Sequence, residues 1–332
     1  MKHKVAIIIC YFEGLPSLYE IWLRSCAYNR DFDFLIFTDQ DIKSPFNNIR
    51  IIECTLDDIA SLAQLKLPTT TISLAFPYKL CDFKPMYGYI FEDYLKKYSF
   101  WGVCDMDMIF GDLNRFINDS ILDKYDKIYQ LGHLTLYKNT REVNSRFMMD
   151  GYMDWKDVLA TPIHCRFCER GMMKKYALAG LTAYTPFDYA DISKIHRRYQ
   201  LSHWLIPKEK QDVFHHQVFY YDEGHVYRAI LLNGIITTEE FSYIHLQKRT
   251  ISFENKAIDN HFYITQNTLI KKEPGEPGVD DIIRLNPYRG KLYELFECIK
   301  YEVKTRTILK RLITTIYMNA SRKFTKHKPS HY

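Results

Sequence analysis

The chain has 332 residues, of which 47% are hydrophobic and 15% aromatic, with a formal net charge of +5. This length and apolar content exclude a disordered chain and suit one large α/β domain, or one domain with an appendage. The charge is uneven: residues 299–332 sum to +8 and the rest to −3, a split that disfavours a nucleic-acid-binding body.

In chain order, Val5–Cys10 predicts a buried first strand, too short for a signal core or a membrane span. Leu18–Tyr28 has helical apolar spacing, with Ser17 as a cap. Asp33–Thr38 and Ile49–Glu53 read as strands, and Leu56–Leu67 as a helix stopped by Pro68. Pro85–Lys97 reads as one helix opened by its proline, with Met86, Ile90 and Tyr94 facing inward. Phe100–Cys104 is a further strand, and Ile128–Tyr137 a strand or strand pair.

The stretch 139–215 has few clean periods and suits lids or binding loops. Gln217–Tyr221 and His225–Ile230 predict a hairpin around Asp222-Glu223-Gly224. Glu273–Gly278 is linker-like. Tyr293–Met318 predicts an amphipathic helix or helix pair with a basic face. Scattered cysteines, eight in number, read as reduced thiols in a cytoplasmic protein.

Strand–helix alternation argues for a largely parallel sheet, whose ligands bind at the carboxyl ends of its strands. At one such end stand Asp105 and Asp107. In extended chain, residues i and i+2 point the same way, so both carboxylates can aim at one Mg²⁺ or Mn²⁺ with a diphosphate as co-ligand. The alternative is an ordinary solvated strand end. His164-Cys165-Arg166-Phe167-Cys168 lacks the second ligand pair that a structural zinc site needs. Dinucleotide, nucleophile-elbow and P-loop motifs are absent.

Four blocks in order carry a family resemblance: Ile7–Phe12 and Asp33–Asp39; Tyr78–Pro85 running into Cys104–Asp112; and Tyr243–Arg249, with a shorter match at Gly132–Asn139. The chain resembles bacterial capsular-polysaccharide and lipopolysaccharide glycosyltransferases of the GT-A fold over roughly residues 5–250. The resemblance implies a GT-A-like domain at 1–255, a mostly parallel sheet flanked by helices, followed by a basic helical extension at 256–332. It implies transfer of a sugar from a nucleotide donor, a UDP-sugar first, to a surface-polysaccharide or lipid-linked glycan acceptor.

By the same resemblance, Asp105, Asp107 and His245 hold Mn²⁺ or Mg²⁺. Lys248 and Arg249 sit near the diphosphate, and Asp39 faces the nucleoside. Tyr11, Asp82 and Lys84 serve the donor. Glu169 and His133 are the weaker candidates for catalysis or the acceptor side. One departure stands out: Phe167-Cys168-Glu169 carries Cys168 where the family often has an acid, leaving Glu169 as sole base. Two alternatives follow, a catalytically silent sugar- or nucleotide-binding protein and a basic-tailed membrane adaptor. The tail at 293–328 either packs on the domain, lies on anionic lipid at the inner face of the cytoplasmic membrane, or binds nucleic acid, the least favoured of the three.

Overall fold

A computed structural model describes residues 1–192, 201, 214–247, 250–253, 260–286 and 289–305. Its strands are β1 (Val5–Cys10), β2 (Phe32–Thr38), β3 (Ile49–Glu53), β4 (Phe100–Cys104), β5 (Met108–Phe110), β6 (Lys127–Leu131), β7 (Leu134–Lys138) and β8 (Ala190–Asp191). They continue with β9 (Gln217–Asp222), β10 (His225–Leu232), β11 (Ile235–Phe241), β12 (Tyr243–His245), β13 (Ser252–Phe253), β14 (His261–Ile264) and β15 (Thr268–Lys271).

The fold is mixed α/β. The first sheet runs β3-β2-β1-β4-β7-β6, with β1 to β4 mutually parallel and β7 antiparallel to both neighbours. Strands of a sheet covered on both faces read as unbroken apolar runs. Alternate residues of β1 accordingly enter two cores: Ala6 and Ile8 pack with Leu35, Phe37 and Trp101, while Val5, Ile7 and Ile9 pack with Trp22, Phe34 and Ile36.

Two local expectations change. The first helix is Tyr19–Tyr28 without a side-chain cap, and the Ser17 hydroxyl instead accepts the Ile251 N–H at 3.0 Å, tying the loop before the helix to a segment more than 200 residues later. Pro85–Lys97 is a series of short turns, Lys84–Met86, Tyr87–Ile90 and Glu92–Leu95, rather than one helix. Tertiary packing overrides the periodicity there. The Phe91 ring packs tilted against Phe37 at 4.4 Å, and Gly88 approaches so closely that a Cβ would stand 2.3 Å from the Trp101 indole.

The second sheet, β11-β10-β9-β14-β15-β13, is antiparallel except where β13 pairs with β15. Glu223-Gly224 turns the predicted hairpin with φ of +44° and +92°, and Asn233-Gly234 turns the next with +51° and +79°. Both have the paired positive φ of a type I′ turn, whose twist matches the strands. This sheet continues past residue 255, because β14 bonds directly to β9. A third, small sheet, β5-β12-β8, lies between the two.

Of the predicted extension, a helix at Lys291–Thr305 is described, while residues 306–332 lie outside the described residues. Among the described residues no helix is long and apolar enough to cross a membrane.

Candidate functional site

The five residues of β4 are all buried, and the strand ends at Cys104. The chain then bends through Asp105-Met106-Asp107 before β5 begins. The two acids share a side with Met106 buried between them, on a bend and not within a regular strand. Two backbone bonds pin the bend. Asp105 N–H donates to His133 O in the β6–β7 turn at 3.1 Å, and Leu246 N–H donates to Asp107 O at 2.8 Å.

The second bond belongs to the small sheet. Antiparallel pairing sets His245 opposite Met108, one residue from Asp107. The His245 Nε2 atom lies 3.4 Å from Asp107 Oδ1. Ligand atoms of Asp105, Asp107 and His245 all lie within 4.8 Å of one another. Two carboxylates and one imidazole at that spacing fit a single divalent cation of the Mn²⁺ or Mg²⁺ type.

Protein charges balance this cluster. Lys84 is buried and its ammonium donates to Asp105 Oδ1 at 2.5 Å and to Gly132 O at 2.7 Å. Burial opposes its charge, but the adjacent Asp105 carboxylate outweighs that and raises the lysine above its ordinary value. At His245 burial likewise opposes protonation, and Asp107 and Asp191 more than reverse it. Asp191 was not foreseen from the sequence. Its Oδ1 lies 2.8 Å from His245 Nδ1, so the two ring nitrogens face two different carboxylates. The only signal for it is an acid closing the short run Tyr189-Ala190-Asp191, too brief to read as a strand.

His133 is buried and packs against the site. Its ring stacks on His245 at 4.4 Å and 22°, and its Nδ1 is 3.0 Å from Tyr243 Oη. Tyr11 extends from the end of β1, half-buried; burial and then the charges of Glu13 and Asp107 push its phenol up.

Glu169 arrives on a π-helical turn, Phe167–Gly171, entered through Arg166 at φ +59°. Such turns are frequent at functional sites. This one lies against the β6–β7 turn: a methyl on Gly132 would stand 3.3 Å from Cys168 Sγ and 3.6 Å from Glu169 Oε1. Cys168 is buried and its thiol is raised well above the ordinary range by that burial. Glu169 is therefore the carboxylate that this segment offers.

One expected donor residue is sealed inside the fold. Asp82 is fully buried, and its carboxylate accepts from Lys79 Nζ at 2.8 Å, Cys165 N–H at 2.7 Å and Phe167 N–H at 2.8 Å. It anchors the entry to the π-helical turn and has no exposure through which to touch a donor. Asp39 stands exposed just past the carboxyl end of β2, as expected, and accepts from the neighbouring Gln40 amide at 2.7 Å. Lys248 and Arg249 lie outside the described residues.

In sum, Asp105, Asp107, His245 and Lys84 converge, with His133 and Asp191 behind them and Tyr11 and Glu169 at the margin. No curated protein matches the chain. A family model described as a family of unknown function, DUF6625, matches residues 7–273, a span that includes every one of these side chains, and the chain belongs to that family.

Proposed function

We propose that this chain is a metal-dependent glycosyltransferase of the GT-A type, moving a sugar from a nucleotide donor, UDP-linked first, to a surface-polysaccharide or lipid-linked glycan acceptor. One observation carries the reading: two carboxylates one residue apart at the carboxyl end of a parallel strand meet an imidazole delivered by a strand far along the chain. The sheet order, with one antiparallel strand beside the strand that bears the acids, supports the same fold type.

Asp105, Asp107 and His245 would hold Mn²⁺ or Mg²⁺. When bound, the cation supplies positive charge to the departing nucleoside diphosphate. Lys84 adds a fixed ammonium beside Asp105, prepaid in the fold by Gly132 O and the carboxylate. In an inverting transfer Glu169 accepts the proton of the acceptor hydroxyl. Buried Cys168 cannot share that task, which keeps a second reading in play: a protein that binds donor without turnover.

The helix Lys291–Thr305 supports a lipid-surface location. Leu292, Leu295, Phe296, Ile299 and Val303 are all more than half exposed. At 3.6 residues per turn they fall within an arc of about 100°. The sequence after the helix, 306–332, holds seven Lys/Arg and no acid, which suits an anionic bilayer.

The test is calorimetry of UDP with and without Mn²⁺ on wild type and on Asp107→Ala. Mn²⁺-dependent UDP binding that disappears in the variant is expected. Failure of every common nucleoside diphosphate to bind the folded wild type sinks the proposal, and binding without sugar transfer selects the silent form.

A further inference from the structure

His245 is held on both of its ring nitrogens and on one of its faces. Nδ1 is 2.8 Å from Asp191 Oδ1, Nε2 is 3.4 Å from Asp107 Oδ1, and the His133 ring covers one face. Strand β8 is only two residues long, yet its parallel register against β12 sets Asp191 directly beside His245. The Ile192 N–H closes the pairing on His245 O at 3.1 Å. Asp191 is 4% exposed, so it has almost no surface to offer a substrate. Its Oδ1 also accepts the Gln247 amide at 2.7 Å, which fixes the carboxylate in place.

A histidine binds a cation through a nitrogen that carries no proton. An N–H on Nδ1 donating to a carboxylate leaves the lone pair of a neutral ring on Nε2 and makes it more basic. Here Nε2 is the nitrogen that faces Asp107, a ligand of the proposed cation. We infer that Asp191 is a positioning residue that fixes the tautomer and the ring orientation of His245 for cation binding. The inference rests on the metal site proposed above.

A rival arrangement is present in the same cluster. Ligand atoms of His133, Asp191 and His245 also lie within 4.8 Å of one another, which would make Asp191 a ligand of a second cation. One contact favours positioning: Asp191 Oδ1 already meets the His245 and Gln247 nitrogens. Stoichiometry separates the two.

The experiment uses the full chain without nucleotide and counts bound Mn²⁺ by electron paramagnetic resonance, in wild type and in Asp191→Asn. Asparagine keeps the shape but can turn an NH₂ toward Nδ1, which favours the wrong tautomer. We expect one Mn²⁺ in both proteins and an affinity lower by about 10- to 100-fold in the variant. Unchanged affinity overturns the inference, and so does a wild type that binds two ions and a variant that binds one. A second measurement needs neither metal nor the variant. Nitrogen-15 spectra of wild-type His245, taken at a pH where the ring is neutral, should show the proton on Nδ1. A proton on Nε2 overturns the inference. If wild type binds no Mn²⁺, the metal reading falls while the spectra still decide whether Asp191 sets the tautomer. They also decide should Asp191→Asn fail to fold.

Discussion

Lys84 and Lys127 are both buried amines, and their neighbours push them in opposite directions. Lys84 has Asp105 against it and stays charged. Lys127 has the Tyr176 and Tyr137 rings at 4.4 and 5.3 Å, and among the described residues no carboxylate pairs with it. Burial lowers its pKa to about 7. The folded-state value lies below the unfolded one, so the unfolded chain binds the proton more readily. The resulting penalty is fully present below about pH 7 and fades as pH rises toward about 10.4, where the unfolded lysine also loses its proton. Lys127→Met should therefore stabilise the protein at pH 7, with an upper bound of about 4 kcal/mol, and the gain should shrink at pH 10. Urea melts at the two pH values check both the size and the trend. A gain that is equal at both would assign the effect to packing and not to charge.

At the scale of elements, the two tight turns offer a matched pair. Gly224 and Gly234 both have positive φ, which a side chain resists by about 1–2 kcal/mol. They differ in what surrounds them. A Cβ on Gly224 would stand 2.6 Å from the Tyr28 ring at the end of the first helix, whereas nothing lies within 4 Å of Gly234. Gly234→Ala should cost only the backbone term, about 1 kcal/mol, and Gly224→Ala about 2–3 kcal/mol, as equilibrium melts would show. Equal costs would mean that the β9–β10 tip does not bear on the helix.

The elements also show what a sequence displays and what it conceals. Strands β1, β2 and β4 were legible because burial on both faces writes them as nearly continuous apolar runs, while the edge strand β3 shows only its Ile49, Ile51 and Ile52. The β9–β10 hairpin was legible because its Gly-containing turn has a fixed backbone chemistry. The short turns in 85–97 were not, since Phe91 and Gly88 answer to partners in other strands. At the site, Asp105, Asp107 and His245 could be picked out, but their convergence depends on strands of three residues or fewer. Asp191 and β8 were invisible for that reason: two residues carry no period. Asp82 misled because a buried carboxylate and a ligand-binding one have the same one-letter code, and only the N–H groups of Cys165 and Phe167 tell them apart.

At the scale of the whole molecule, charge and exposed apolar side chains are unevenly placed along the chain. The body is near neutral, while the C-terminal helix shows solvent an apolar stripe and leads into a basic sequence. Full-length protein should sediment with vesicles of anionic lipid and much less with neutral ones, and Phe296→Glu with Ile299→Glu should weaken that binding by tenfold or more, since two apolar side chains lose their burial. Equal sedimentation with neutral vesicles would dismiss the charge argument; wild-type dimers that the double variant abolishes, seen by light scattering, would assign the stripe to a second copy.

The small sheet β5-β12-β8 has a consequence for how the molecule comes apart. It is where the chain's early half clasps its late half, and Asp107 and His245 face each other across that clasp. A cation held by both would close a loop of about 140 residues, the kind of constraint that restricts an unfolded chain. Such an ion would be a staple as well as a reagent. The first sheet could assemble without it, but separating the two halves would require its release.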